Sequence, residues 1–125
     1  MKVYIVRHTS VDVPYDIFYG QTDVPVRENS FVEEATRVKE KIAPLSFDAV
    51  FTSPLTRCVR LATFCGYGDA LRDERLKELN FGDWEWVFVY ELHSPEVKNW
   101  FKHQIEQPTP NGESFIDMKA RLIQF

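Results

Sequence analysis

Two short apolar runs, separated by a segment of helical periodicity, most constrain how this 125-residue chain can fold. Val3–Val6 and Phe47–Phe51 have the length of strands, and their residues favour buried strands. Within Glu33–Leu45, apolar residues recur at the spacing of one helix face. That face consists of Ala35, Val38, Ile42 and Leu45. A strand, a helix and a second strand in this order predict an α/β fold with a parallel sheet.

The alternation continues after the second run. Ser53 is a good helix cap with Pro54 at the first helical position, and this helix is predicted to end near Phe64. A third strand is predicted at Ala70–Arg72. These features extend the pattern of alternating strands and helices.

The second half of the chain is predicted to be mostly helical. We expect helices at Glu85–Leu92, Pro95–Ile105 and Phe115–Phe125, with a proline-rich joint at Pro108–Gly112. Residues 10–30 are predicted to form a long loop, and loops of that length are usually functional in compact domains.

Composition and charge exclude several classes of function. A net charge of −4 without any block of Lys or Arg argues against binding of nucleic acids or anionic membranes, because both need a basic surface. Cys58 and Cys65 lie too far apart on one predicted helix to form a disulfide, and the chain has no metal-binding spacing of Cys or His. No apolar run suits a signal peptide or a membrane span, so we expect a soluble cytoplasmic protein.

Two polar groups at predicted strand ends carry candidate chemistry. Arg7 and His8 follow the first strand, at the edge where open α/β sheets bind ligands. A neutral imidazole can attack phosphorus, and a guanidinium can hold two phosphoryl oxygens. Arg57 lies one turn into the helix capped by Ser53, whose amino end favours anions. Each feature alone also fits a structural role, as a surface Arg-His pair or as a capped helix with a solvated arginine.

A third group contains Glu78 with the aromatic residues Phe81 and Trp84. Cleavage of a phosphate monoester needs an acid that protonates the leaving alkoxide. Partial desolvation by the two rings would favour the protonated carboxyl that this role requires. The alternative is a solvated glutamate, which is how most glutamates occur.

The order and spacing of these groups resemble the histidine phosphatase (phosphoglycerate mutase-like) superfamily. The motifs are Arg7-His8-Thr9, Ser53-Pro54-Leu55-Thr56-Arg57 and Arg75-Leu76-Lys77-Glu78 with Gly82 four residues on. Tyr19-Gly20-Gln21-Thr22-Asp23 is similar to the family's substrate-side loop, and Asn111-Gly112-Glu113-Ser114 to its Gly-Glu-Ser/Thr turn. The resemblance runs from Lys2 to Phe125.

The resemblance implies both a fold and a set of roles. The fold is a three-layer α/β/α sandwich around a mainly parallel sheet, with residues 1–125 forming the N-terminal two-thirds of one histidine phosphatase domain. His8 would be the nucleophile that becomes phosphohistidine, Arg7 and Arg57 would bind the phosphoryl group, and Glu78 would donate the proton. The substrate would also contact Tyr19, Gly20 and Gln21. No metal or organic cofactor is implied.

Several positions depart from the family pattern. The family usually has Arg-His-Gly-Glu and an Asn six residues after the His, whereas this chain has Thr9, Ser10 and Pro14. Trp86 stands where the family often has Gly. A second catalytic histidine of the family is also missing, since His93 and His103 are predicted to be solvated helix residues. The last helix has no cap or breaker after Phe125, so we expect the natural chain to continue and to supply that histidine.

Among members of the family, the chain is most similar to α-ribazole-5′-phosphate phosphatases of cobalamin biosynthesis. This likeness rests on Tyr19–Pro25, Leu79–Glu85 and Pro108–Phe115. It implies a small-molecule phosphate monoester as substrate. Other functions stay open: a broad-specificity phosphatase, a phosphoglycerate mutase-type enzyme, or a catalytically dead binding module if the chain ends at Phe125. The oligomeric state also stays open, and a dimer is possible.

Overall fold

A computed structural model describes all residues from 1 to 125. The chain divides into two compact units, each built from two stretches of sequence. The first unit contains Met1–Asp12 and Val24–Glu74, and the second contains Val13–Asp23 and Arg75–Phe125. None of the helices combines the length and the apolar character that a membrane span requires.

The first unit begins its regular structure with helix α1, which spans Glu28–Ile42. The helix predicted at Glu33–Leu45 is thus confirmed, although it starts five residues earlier because polar residues form its first turn. Glu28 in that turn favours the positive end of the helix dipole. The helix ends ahead of Pro44, which has no amide hydrogen to continue the ladder.

Two short parallel strands flank the second helix of this unit. Strand β1 is Phe51–Thr52 and strand β2 is Leu71–Arg72, and Phe51 pairs with Leu71 in the register. The third predicted strand and the parallel pairing are therefore confirmed. The predicted strand at Phe47–Phe51 is reduced to its end, since only the last residue of that run joins the ladder.

Helix α2 spans Thr56–Phe64. Its cap is two residues later than the predicted cap at Ser53, because extended Leu55 occupies the cap position. The Ser53 hydroxyl instead accepts a hydrogen bond from the Leu55 amide at 3.3 Å, within the turn that precedes the helix. The predicted end near Phe64 is confirmed, and Gly66 follows with a φ of 95°, a conformation that favours glycine.

The core of the first unit lies between α1 and α2. Phe31 and Ala35 from α1 pack with Leu61 from α2 and with Val26 from the preceding loop. Phe31 and Phe64 meet edge to face, with ring centroids 5.6 Å apart. Burying these side chains contributes about 1.5–3 kcal/mol for each large one.

Val3–Val6 does not form the predicted buried strand. This part of the chain contains no strand, and the side chains of Val3 and Ile5 are 70% and 93% exposed. A strand is stable only when a neighbouring strand accepts its backbone hydrogen bonds, and β1 pairs with β2 alone. The prediction was therefore wrong, because β-branched residues favour a strand without supplying a partner.

The second unit has an aromatic core. Trp84 and Trp100 are buried with Val97, and their rings meet edge to face at 5.4 Å. Val97 and Trp100 come from helix α3, Pro95–His103, which confirms the helix predicted at Pro95–Ile105. The core is extended by Phe18, Phe81 and Leu92.

The prediction of a helix at Glu85–Leu92 is wrong. One 3₁₀ turn, Gly82–Trp84, ends just before this region, and another, Val89–Glu91, lies within it. The backbone between them pairs with the loop around Phe18, whose carbonyl accepts from the Trp86 amide at 2.6 Å and whose amide donates to Val87 at 3.1 Å. Pairing with a distant segment thus replaces the local helical bonds.

Helix α4 spans Phe115–Ile123 and confirms the last predicted helix. A capping box fixes its start, since the Ser114 hydroxyl accepts from the Asp117 amide at 3.1 Å and the Asp117 carboxylate accepts from the Ser114 amide at 2.9 Å. The amide and the hydroxyl of Ser114 both donate to the Asp117 carboxylate, and these bonds hold the pKa of Asp117 below its ordinary value. The predicted joint at Pro108–Gly112 is a loop, as expected.

Candidate functional site

The first unit contains the predicted nucleophile at the end of its extended N-terminal segment. His8 is half-buried, and its Nδ1 lies 2.7 Å from the carbonyl oxygen of Thr9. A carbonyl oxygen only accepts hydrogen bonds, so Nδ1 carries the proton in this arrangement. In the neutral ring this leaves the lone pair on Nε2. With Nδ1 as the donor, Nε2 is the nitrogen of His8 that can act as a nucleophile.

The two predicted phosphate-binding arginines belong to the same unit but differ in burial. Arg57, near the start of α2, is only 1% exposed, whereas Arg7 is exposed. A guanidinium keeps its charge even when buried, because its intrinsic pKa is too high for deprotonation. The charge of Arg57 is thus shielded from solvent, while that of Arg7 is exposed to it.

The segment after His8 is tied to α1. The Ser10 amide donates to the Glu34 carboxylate at 2.7 Å, and this bond holds the pKa of the exposed Glu34 below its ordinary value. The Ser10 carbonyl accepts from the Arg27 amide at 2.9 Å. Thr9, which departs from the family's usual Gly, is buried and its hydroxyl has no hydrogen-bond partner.

The second unit contains the predicted proton donor. Glu78 is exposed, and one of its carboxylate oxygens accepts from the Leu79 amide at 2.7 Å. Glu78 lines a cavity of about 280 Å³ together with Phe81, one of the two aromatic residues predicted to surround it. Trp84 instead packs into the aromatic core. Glu78 therefore lies at an apolar surface without being enclosed by it.

The predicted substrate-side loop adjoins the Glu78 segment. The side-chain amide of Gln21 donates to the carbonyl of Glu78 at 3.0 Å. Gly20 packs so closely that a Cβ added to it would lie 2.2 Å from the carbonyl oxygen of Leu79. The structure thus brings together Tyr19, Gly20, Gln21 and Glu78. Gly20 and Gln21 contact the segment that carries Glu78, and Tyr19 lines the same cavity.

Glu85 is a second anchor of this loop. Its carboxylate accepts from the Gln21 amide at 2.7 Å and from the Thr22 hydroxyl at 2.6 Å. The Phe81 amide donates to the same carboxylate at 3.2 Å. Glu85 was part of the sequence motif but was given no role, since nothing local indicates that its partners come from a loop more than sixty residues away.

The cavity beside Glu78 is mostly apolar. Glu78 is the one charged residue among those that line it, and Tyr19 adds a phenol group. The remaining lining residues are Ile17, Phe18, Gly20, Leu79, Phe81 and Phe115. Such a surface suits an apolar or aromatic portion of a ligand.

Arg121 and Glu113 form an ion pair beneath the Glu78 segment. The Nε of Arg121 lies 2.9 Å from the Glu113 carboxylate, and both side chains are largely buried. Burial raises the pKa of Glu113, but hydrogen bonds from Arg121 and the charge of that guanidinium outweigh it, so the pKa lies below its ordinary value. Arg121 was not predicted to have a role, because nothing in its own surroundings on α4 indicates a distant partner.

Residues suited to metal binding do not cluster in this structure. No group of three His, Cys, Asp or Glu side chains could hold a metal ion. His93 and His103 are both exposed, and His103 is the last residue of α3. Both are solvated as predicted, but only His103 is a helix residue, because His93 precedes α3.

The chain resembles longer proteins along nearly its whole length. A probable phosphoglycerate mutase, GpmB of Escherichia fergusonii, is 33% identical over 135 residues. The match covers 98% of this chain and 60% of that relative, so the chain spans about three-fifths of the length of the curated relatives it matches.

Solved structures share the fold. TTHB049 from Thermus thermophilus superposes with a TM-score of 0.75 at 26% identity, over 96% of this chain and 68% of that one. A phosphoglycerate mutase from the same organism superposes with a TM-score of 0.70 at 22% identity, over 94% and 67%. The predicted α/β, phosphoglycerate mutase-like fold class is thus confirmed. Residues 3–125 match the family described as the histidine phosphatase superfamily (branch 1), and the chain belongs to that family.

Proposed function

We propose that this chain belongs to a phosphomonoester hydrolase that works through a phosphohistidine at His8. The observation that carries the proposal is the hydrogen bond from His8 Nδ1 to the Thr9 carbonyl, which leaves the lone pair of the neutral ring on Nε2. Membership of the histidine phosphatase superfamily supports the same role. Arg7 and Arg57 bind the phosphoryl group, because phosphoryl transfer depends mainly on positioning and charge neutralisation.

The reaction takes two steps. Nε2 of His8 attacks phosphorus, the bond to the ester oxygen breaks, and the Glu78 carboxyl gives its proton to the leaving alkoxide. Water then attacks the phosphohistidine while the Glu78 carboxylate takes a proton from it. Phosphate leaves and His8 is restored, so protons and electron pairs balance over the cycle.

The proposed substrate is α-ribazole 5′-phosphate, an intermediate of cobalamin biosynthesis. Its flat aromatic base suits the cavity beside Glu78, where Phe18, Tyr19 and Phe81 are among the lining residues. The residues that line the cavity include no Lys, Arg or His that would bind a carboxylate. This supports a substrate whose leaving group is uncharged.

A phosphoglycerate mutase is the second candidate. The identity of 33% to a probable phosphoglycerate mutase favours it. A mutase must bind the carboxylate of phosphoglycerate, and none of the residues of this chain that line the cavity at Glu78 carries a positive charge. We therefore place the hydrolase first.

The experiment uses the complete product of the gene. Substrate labelled with radioactive phosphorus should transfer its label to the protein in an acid-labile, alkali-stable form, as a phosphoramidate does. His8→Ala should abolish both the label and turnover. His103→Ala is the matched control, because His103 is exposed at the end of α3, and it should leave both unchanged.

The substrate is then tested by comparing α-ribazole 5′-phosphate with 3-phosphoglycerate. A higher kcat/KM for release of phosphate from α-ribazole 5′-phosphate supports the proposal. Isomerisation of 3-phosphoglycerate without net release of phosphate would identify a mutase. Turnover that survives His8→Ala within a few-fold would remove His8 as the nucleophile, and a wild-type protein that neither labels nor turns over would be a binding module.

A further inference from the structure

We propose that Arg121, held by Glu113, is a positioning residue that fixes the backbone at Glu78 and so sets where the proton donor reaches. The inference rests on the proposed function, in which Glu78 donates the proton. Arg121 lies on α4, outside the motifs on which the family resemblance rests.

The guanidinium of Arg121 gathers three acceptors of the chain that leads to Glu78. Its Nη1 lies 2.7 Å from the carbonyl oxygen of Arg75 and 2.8 Å from that of Lys77. Its Nη2 lies 3.3 Å from the carbonyl oxygen of Glu78. The Arg121 side chain thus binds the backbone of residues 75–78 through three of its carbonyl groups.

Glu113 fixes the orientation of this guanidinium. Both carboxylate oxygens of Glu113 accept from Arg121, at 2.9 Å from Nε and at 2.9 Å from Nη2. Such a two-pronged pair constrains the plane of the guanidinium as well as its distance. Because both side chains are about four-fifths buried, the pair is less screened and less mobile than a surface ion pair.

Glu113 also holds the far end of the same segment. Its carboxylate accepts from the Asn80 amide at 2.9 Å, and its own amide donates to the Asn80 carbonyl at 2.8 Å. Glu78 therefore lies between two anchored points, the carbonyls bound by Arg121 and the peptide groups of Asn80 bound by Glu113.

The segment needs these anchors because it forms no helix or strand of its own. Residues 77–81 lie between the 3₁₀ turns Glu74–Leu76 and Gly82–Trp84. Without a regular ladder, the position of Glu78 depends on side-chain donors, namely Arg121 and Gln21 on its carbonyl. A shift of about 1 Å in a catalytic group can slow a reaction by roughly a hundredfold.

A positioning role has a signature that a general loss of stability lacks. A proton donor matters most for a poor leaving group, so the test compares phenyl phosphate with p-nitrophenyl phosphate in the complete gene product. Arg121→Met should slow phenyl phosphate roughly ten- to a hundredfold and p-nitrophenyl phosphate only a few-fold. Arg121→Lys keeps the charge but loses the planar, bidentate guanidinium, so it should also slow phenyl phosphate more than p-nitrophenyl phosphate, by a smaller factor. This variant tests the proposal if the methionine variant does not fold.

A double variant separates positioning from other effects. In the Glu78→Gln background the proton donor is already absent, so adding Arg121→Met should slow phenyl phosphate no further. Arg37→Met is the matched control, because Arg37 is an exposed helix residue that pairs with Glu33. It should leave the rates on both substrates unchanged.

The possible failures point to different errors. Equal losses on both substrates for Arg121→Met and Arg121→Lys, alongside a normal bias for Glu78→Gln, would reject positioning and leave the proposed function standing. The same rejection would follow if Arg121→Met cost as much in the Glu78→Gln background as in wild type. Equal losses for Glu78→Gln itself would reject Glu78 as the proton donor and this inference with it.

Discussion

Gly20, in the second unit, packs so closely against its neighbours that there is no room for a side-chain carbon. A Cβ added to Gly20 would lie 2.2 Å from the Leu79 carbonyl oxygen, 2.5 Å from the Glu85 carboxylate and 2.7 Å from the Phe81 ring. The first of these is a backbone atom, so it cannot move away as the tip of a flexible side chain could. The role of glycine here is close approach between two segments.

Gly20→Ala should therefore destabilise the protein by about 2 kcal/mol or more, because relief of the clash forces the two segments apart. Gly68→Ala is the matched control, since its nearest neighbour would be the Thr63 methyl group at 3.7 Å, an ordinary contact. It should change stability by no more than about 1 kcal/mol. Urea unfolding of both variants checks this, and equal midpoints would show that the loop is not packed as described.

At the scale of elements, sequence periodicity predicted helices better than strands. α1 and α4 were predicted because their apolar residues recur at helical spacing, and α3 was predicted to begin at Pro95. The strand at Val3–Val6 and the helix at Glu85–Leu92 failed for one reason: backbone pairing with distant residues decides them, and a local pattern contains no information on the partner.

Helices α3 and α4 are both preceded by a serine, but they differ in how their first turns are capped. Ser114 and Ser94 both occupy the cap position of a helix, but only the Ser114 hydroxyl accepts from its helix. Ser114→Ala should cost about 1 kcal/mol of stability, whereas Ser94→Ala should cost close to nothing. Thermal unfolding of the two variants measures the difference, and a similar loss in both would contradict the capping box.

At the scale of the whole molecule, the motifs indicated candidate site residues but not the side chains that anchor their segments. His8, Arg57 and Glu78 were predicted from motifs, because catalytic chemistry restricts which side chains can serve. Glu85 and Arg121 were assigned no role, because each acts on a segment far away in sequence, and several side chains could form such anchors. Nothing in the local pattern indicated that Val3 and Ile5 would be exposed.

The exposed apolar segment predicts how residues 1–125 behave as an isolated chain. Val3 and Ile5 present contiguous apolar surface, and burial of each is worth about 1.5–3 kcal/mol, so the chain should self-associate. Replacing both by Lys should reduce association with little effect on stability. Val24→Lys, at a position only 2% exposed, should instead unfold the first unit. Sedimentation and circular dichroism distinguish the two, and a monomeric wild-type chain would contradict the prediction.

The close fit of Gly20 against the Glu78 segment also bears on how such a protein can change over generations. Gly20 touches Leu79, Phe81 and Glu85 at once, and the Glu85 carboxylate binds the next two residues of the loop. A mutation that reshapes the loop around Gly20 therefore disturbs the segment that carries Glu78, and a mutation in that segment disturbs the loop. New substrate preferences would have to arise through paired substitutions in both segments, which makes this part of the protein slow to diversify.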